Sequence, residues 1–137
     1  MEYDIYFTGY LTSNLGSLGN KILKLREIVE TVKGTVLTKQ GNLDLEISCC
    51  GASDLMSDVL SDMMPGSLLL TGMVGLQSVR TAEMVDLAAI VFVHAKIPGT
   101  DSIELANELG IALIASPYSM YEICGQLYEA GLRPPKK

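Results

Sequence analysis

Residues 67–94, SLLLTGMVGLQSVRTAEMVDLAAIVFVH, decide the fold of this chain. Two apolar runs, at 67–71 and 88–94, flank a segment at 76–86 that is predicted to be helical. Short apolar strands separated by helices of about ten residues are typical of parallel strands covered on both faces. The stretch therefore predicts a strand, a helix and a second strand of one parallel sheet.

The same alternation continues on both sides of this stretch. The other elements predicted after residue 50 are a helix at 53–64 that stops at Pro65 and Gly66, a helix at 101–109 that Gly110 ends, a strand at 111–115, and a last helix that Ser116 and Pro117 begin and that runs to Ala130. The predicted fold class is therefore α/β, a three-layer α/β/α sandwich around a mostly parallel sheet.

Before residue 50 the pattern is less regular. Asn20 is the predicted N-cap of an amphipathic helix, and Gly34 is placed to end it. Segments 35–38 and 43–50 favour β structure on either side of a turn at 40–42. The pattern is compatible with a hairpin, which would make the sheet partly antiparallel.

A chain of 137 residues is long enough for one domain with its own core. This domain is expected at 20–132. Residues 1–19 form either a flexible lead-in segment or an additional strand, and residues 133–137 (RPPKK) are predicted to be a solvated tail.

Composition excludes several classes of function. The net charge of -6 argues against nucleic-acid binding, which depends on clustered cationic side chains. No apolar stretch approaches the roughly 20 residues that span a bilayer, and no basic and apolar leader is visible, so a cytoplasmic protein without a membrane partner is expected. The three cysteines lack CxxC spacing and are interpreted as small apolar residues, not as disulfide or zinc ligands.

Candidate binding residues lie where predicted strands end, because ligands of parallel sheets bind outside the carboxyl ends of the strands. Between residues 41 and 130 there are twelve carboxylates but only two cationic residues, Arg80 and Lys96. They are interpreted either as partners of a phosphate group or as surface residues paired with neighbouring carboxylates. The predicted ligand contacts are Ser53, Thr71, Gly72, Arg80, His94, Lys96 and Ser116.

The loop at 71–75 (TGMVG) carries two glycines but neither the dinucleotide nor the triphosphate motif. Its glycines are either ordinary turn residues or part of a loop that cradles an anion. His94, the only histidine, is expected either to contact a ligand or to form a structural hydrogen bond, since no second histidine supports a catalytic pair.

Three aspartates, Asp54, Asp58 and Asp62, recur every four residues and would share one face of the predicted helix. Such a face is either a solvated polar stripe or a divalent-cation ridge. Carboxylates in single file do not close an octahedron, which favours the polar stripe, and no metal site is predicted.

A family resemblance rests on ordered segments of the chain. These are 51–60 (GASDLMSDVL), 66–71 (GSLLLT), 87–93 (LAAIVFV), 111–114 (IALI) and 121–128 (YEICGQLY). Together they resemble the DRTGG domain family over about residues 36–132. The string that names the family is absent, because 71–75 (TGMVG) occupies the nearest loop, and His94 stands where relatives often have Asn.

The resemblance implies a three-layer regulatory or dimerising domain, found alone or beside CBS domains in inorganic pyrophosphatases and in the front part of some phosphate acetyltransferases. The fold it implies is similar to the N-terminal domain of HPr kinase. None of these associations makes the domain itself an enzyme.

The function expected from the sequence is a non-catalytic regulatory or scaffolding domain. It is expected to be a homodimer with an unknown protein partner, without a cofactor, and to sense a small anionic ligand such as an adenine nucleotide. Two alternatives stay open: a metal-dependent phosphotransfer or hydrolytic enzyme that uses Asp54 or Asp58, and a pure protein-interaction module.

Overall fold

The computed structural model describes residues 20–39 and 42–136. The helices in these ranges are α1 (Leu25–Thr31), α2 (Met56–Asp62), α3 (Leu76–Val85), α4 (Thr100–Leu109) and α5 (Met120–Glu129). The strands are β1 (Leu23–Lys24), β2 (Thr35–Val36), β3 (Glu46–Ile47), β4 (Cys50–Ala52), β5 (Leu68–Thr71), β6 (Ala89–Phe92) and β7 (Ala112–Ala115). The lead-in expected at 1–19 lies outside the described residues.

The main sheet has five strands in the order β2, β7, β6, β5, β4. β4, β5, β6 and β7 are parallel, whereas β2 pairs antiparallel with β7 through Thr35 and Ala115. The predicted α/β class with a mostly parallel sheet is confirmed, and the sheet is mixed.

The interpretation of a hairpin around residues 40–42 is wrong. β3 pairs with β1, with Leu23 opposite Ile47, and β2 lies in the other sheet. Both pairings join segments that are distant in sequence, and β2 gives the buried strand β7 a hydrogen-bonded neighbour that it would otherwise lack.

Helices cover both faces of the main sheet, and the side chains of each strand alternate between them. One face packs against α1 and α5, and its buried residues include Leu25, Ile28, Leu68, Leu70, Val91, Ile114, Ile123 and Leu127. The other packs against α2, α3 and α4, and its buried residues include Val59, Leu69, Val79, Ile90, Phe92, Ala106 and Leu113. The predicted three-layer sandwich is therefore present.

The starts of α1 and α5 differ from the sequence prediction by several residues. α1 begins after Lys24, not after Asn20, because the intervening residues extend and pair with β3. α5 begins after Ser119, whose side chain accepts a hydrogen bond from the backbone of Glu122 while the Glu122 carboxylate accepts one from the Ser119 backbone. Ser119 is therefore the N-cap in place of Ser116, the predicted N-cap, which is fully buried.

The predicted end of α4 is confirmed. Gly110 has φ 74°, a left-handed conformation that glycine adopts at little cost and that closes α4. α3 ends in the same way at Asp86, with φ 61°.

Arg133, where the sequence predicts a solvated tail to begin, instead contacts the domain. Its backbone forms a parallel bridge with Cys49, and its carbonyl accepts a hydrogen bond from the Cys50 N–H at 3.0 Å. Its guanidinium lies 3.9 Å from the centre of the Tyr128 ring. The backbone of Arg133 is therefore held against β4 and its side chain against α5.

Within residues 20–39 and 42–136, no helix combines the length and the apolar character that crossing a bilayer requires.

Candidate functional site

The loops that follow β4 and β5 meet at the carboxyl edge of the sheet, around the carboxylate of Asp54. Asp54 Oδ1 accepts hydrogen bonds from Thr71 Oγ1 at 2.9 Å and from the Gly72 N–H at 2.7 Å. Thr71 Oγ1 in turn accepts a hydrogen bond from the Met73 N–H at 3.1 Å. A carboxylate thus holds two of the donors at the end of β5.

Lys96 reaches the same place from the loop after β6. Its Nζ donates a hydrogen bond to the Gly72 carbonyl at 3.4 Å, which is the one polar contact of this side chain within the described residues. An ammonium group carries three N–H donors, so two are left for other acceptors.

Gly72 leaves room for both charged groups. A Cβ atom at this position would lie 3.2 Å from the Lys96 ammonium and 3.6 Å from each carboxylate oxygen of Asp54. Any other residue here would push at least the ammonium away. Cation, carboxylate and backbone therefore share one small polar site.

His94 follows β6 in an unusual turn. His94 and Ala95 have φ 58° and 55°, a left-handed conformation that costs a non-glycine residue roughly 1 kcal/mol or more. Their N–H groups donate to the carbonyls of Tyr118 and Ser116 at 2.8 and 2.6 Å. The loop between β7 and α5 therefore holds this turn in place.

Glu122 lies in the first turn of α5. Hydrogen bonds from the backbone and side chain of Ser119 hold the pKa of Glu122 below its ordinary value, and the charge of nearby His94 lowers it further. The backbone hydrogen bonds of His94 and Ala95 connect their turn to the residues just before α5.

Three further predicted contacts, besides His94, form hydrogen bonds or ion pairs with other partners. Ser53 Oγ accepts a hydrogen bond from the Leu55 N–H at 3.0 Å and so fixes the turn before α2. Ser116 is buried, and its Oγ donates to the Val32 carbonyl at 2.8 Å. Arg80 is exposed on α3 and pairs with Glu83 at 3.6 Å. Of the predicted contacts, the structure thus brings Thr71, Gly72 and Lys96 together.

The aspartate face expected from the spacing of 54, 58 and 62 is not a single helical face. α2 begins at Met56, so Asp54 lies outside the helix, in the turn that reaches β5. Asp58 and Asp62 line a different cavity, of about 410 Å³, together with residues 134–135. Among the described residues, no three His, Cys, Asp or Glu side chains are arranged to hold a metal ion.

Sequence reasoning missed the part that Asp54 plays in this site. The available signal was its position two residues after β4, at the same carboxyl edge as Thr71 and Lys96. Its four-residue spacing to Asp58 suggested a helix position instead.

Two cysteines pack on the face of the sheet that α5 covers. Cys50 and Cys124 are half-buried and line one cavity of about 240 Å³ with Leu70 and Leu127. Burial raises the pKa of both thiols, and for Cys50 the neighbouring cysteines raise it further. The neutral thiol is therefore the stable form at neutral pH, which suits small apolar packing groups.

No family model matches the chain, and no curated protein matches it. Among solved structures, the chain is similar to the CBS and DRTGG domains of the regulatory region of Clostridium perfringens pyrophosphatase, a structure complexed with its activator, diadenosine tetraphosphate. The TM-score is 0.66 at 12% sequence identity, and the match covers 80% of this chain and 47% of that chain. This chain thus spans about half the length of the protein it matches, and the likeness shows a DRTGG-like fold.

Proposed function

We propose that this chain is a non-catalytic regulatory domain of the DRTGG family that senses a small phosphorylated ligand, such as an adenine nucleotide. The observation that carries the proposal is the Lys96 ammonium beside Thr71 and Gly72, with two N–H donors left for an anion. In this proposal the ligand-sensing domain comprises residues 20–132 together with Arg133.

The site offers a phosphate group the donors that it prefers. The Thr71 hydroxyl and the Gly72 N–H point at one acceptor, and Lys96 supplies the positive charge beside them. Charge-assisted hydrogen bonds of this kind are roughly twice as strong as neutral ones. In a chain of net charge -6, this is a favourable place for an anion.

Asp54 acts as an internal competitor for these donors. Its carboxylate already binds Thr71 and Gly72, so a phosphate must displace it to gain the same hydrogen bonds. Displacement moves the turn that precedes α2. Ligand binding is thereby coupled to a change at α2, which is what a sensor needs.

The similar fold of a pyrophosphatase regulatory region, crystallised with a nucleotide activator, supports this proposal. This likeness favours a regulatory role over catalysis. The proposal includes self-association of the domain as a homodimer, with the protein partner of the assembly unidentified.

The first test is thermal unfolding of the protein with AMP, ATP, diadenosine tetraphosphate and inorganic phosphate. A ligand at a hundred times its Kd stabilises the native state by about 2.7 kcal/mol, a rise in Tm of roughly 5 to 15 °C. Lys96→Met should weaken binding about tenfold to a hundredfold, because a charged hydrogen bond contributes about 1.5–3 kcal/mol.

Arg80→Met is the matched control, since it removes an equal charge from an exposed position paired with Glu83. It should leave the ligand response intact. An equal loss of ligand affinity in both variants would trace the effect to net charge and contradict the assignment of Lys96. A protein whose Tm responded to none of the four compounds would contradict the sensor proposal.

A further inference from the structure

The outer edge of β4 keeps backbone groups that no described part of the chain bonds. The Cys49 carbonyl accepts a hydrogen bond from the Leu68 N–H and so faces β5. Backbone groups alternate in direction along a strand, so those of Cys50 and Ala52 face outward. Arg133 bonds the Cys50 N–H, whereas the Cys50 carbonyl and both backbone groups of Ala52 have no partner within the described residues.

The chain itself begins a further strand at this edge and cannot continue it. Arg133 pairs in parallel with Cys49, and in this register the Cys50 carbonyl would next receive the N–H of residue 135. Residue 135 is a proline, which has no N–H. The tail after Arg133 therefore borders the edge of β4 without bonding to it.

A cavity lies on each face of this edge, and Gly51 and Ala52 line both of them. The acidic cavity, of about 410 Å³, is on the α2 side and is lined by Asp58, Asp62 and Val59. The apolar cavity, of about 240 Å³, is on the α5 side and is lined by residues that include Leu70, Cys124 and Leu127. Successive side chains of a strand point to opposite faces of its sheet. A strand added to β4 therefore directs its side chains alternately toward the two cavities.

We infer that the β4 edge binds an extended segment of a partner protein in which apolar and basic side chains alternate. Hydrogen bonds to the Cys50 carbonyl and to the backbone of Ala52 supply affinity, and the two cavities supply specificity, as in other cases of strand addition. This surface is separate from the Lys96 site, so the inference does not rest on the proposed ligand.

Charge selects the basic side chain for the acidic cavity. Asp58 makes no side-chain hydrogen bond or ion pair within the described residues, and Asp62 lies one turn further along α2. No cationic side chain is among the described residues that line this cavity. The apolar cavity differs, because Arg133 lines it and repels a second cation there. A lysine or arginine of the partner is therefore favoured on the α2 side and an apolar residue on the α5 side.

The test is fluorescence anisotropy of the intact protein with three labelled peptides. One alternates valine and lysine, the second alternates valine and glutamate, and the third is the valine–lysine peptide N-methylated along its backbone. The first should bind about tenfold more tightly than either of the others, because the second has the wrong charge and the third lacks backbone donors. Equal affinity for the first and second would overturn the charge assignment, and equal affinity for the first and third would overturn strand addition.

Variants of the protein test the same contacts. Asp58→Asn should weaken binding of the valine–lysine peptide about threefold. Glu108→Gln, which removes an equal charge from an exposed position on α4, should leave it unchanged. Pro135→Ala gives the tail an N–H that can bond the Cys50 carbonyl, so the tail should compete with the peptide and weaken its binding about threefold.

Unchanged binding in both Asp58→Asn and Pro135→Ala would overturn the inference, as would a protein that binds none of the three peptides. If no peptide bound and Pro135→Ala instead dissociated a dimer of the protein, the edge would belong to a second copy of the chain and the inference would be wrong. None of these results bears on the response to phosphorylated ligands.

Discussion

The carboxylate of Asp54 accepts hydrogen bonds from the donors that an anionic ligand needs. Its removal should therefore lower the stability of the ligand-free protein but raise its affinity for the ligand. In Asp54→Ala, Thr71 and Gly72 lose their acceptor, and the ligand-free protein should be less stable by about 1–3 kcal/mol. The same change frees both donors, so the affinity for the phosphorylated ligand should rise about tenfold.

Calorimetric titration and urea unfolding of the same samples separate these effects. Asp58→Ala is the matched control, since it removes an aspartate from α2 that lines a different cavity. If Asp54→Ala lowered the affinity, Asp54 would be a ligand contact and not a competitor.

Part of this site could be predicted from the sequence. Thr71 ends a buried strand, Gly72 follows it and Lys96 follows the next one, and parallel strands bring their ends to one edge. Asp54 could not be assigned in the same way, because the turn that Ser53 makes with Leu55 delays the start of α2 and is not visible in residue spacing.

At the scale of elements, the capping box of α5 makes the stability of the domain depend on pH. The lowered pKa of Glu122 means that the folded state favours the charged carboxylate. Its contribution is therefore present above the ordinary value of 4.5 and is lost as the pH falls through the lowered pKa. Glu122→Gln should lower stability at pH 7 and match the wild type in strong acid.

Ser119→Ala provides the comparison for this prediction. It removes the hydroxyl that accepts from the Glu122 N–H and should destabilise the domain by about 1 kcal/mol, in acid as well as at pH 7. Urea unfolding at several pH values measures both variants. If Glu122→Gln stayed less stable than the wild type at a pH below the lowered pKa, the cap would depend on the shape of the Glu122 side chain and not on its charge.

Elements with buried, continuous apolar runs were predictable. β5 and β6 were expected within two residues at each end, and α4 to within one, because an apolar run or a closing glycine marks each of them. β2 and β3 were assigned to a hairpin, since two-residue strands that pair at long range leave no local pattern. The start of α5 was displaced because Ser116 and Ser119 both suit an N-cap, and only Ser119 is followed by Glu at the third helical position.

At the scale of the whole molecule, the loop that leads into α5 is bonded to the turn that follows β6. The Tyr118 carbonyl accepts a hydrogen bond from the His94 N–H at 2.8 Å, and the Ser116 carbonyl accepts one from the Ala95 N–H. A ligand bound at Lys96 is therefore expected to influence the position of α5 through this loop.

The backbone bridge between Cys49 and Arg133 also bears on solubility. β4 is an outer strand, and the unpaired amides of such strands recruit strands from other molecules and start aggregates. The Arg133 carbonyl covers the Cys50 N–H, while at the opposite edge β2 is only two residues long. A chain shortened to end at Leu132 should therefore aggregate on mild heating, as light scattering would record. Arg133→Ala keeps the backbone bridge, so its solution should remain clear. If both proteins became equally turbid, solubility would depend on the guanidinium group instead.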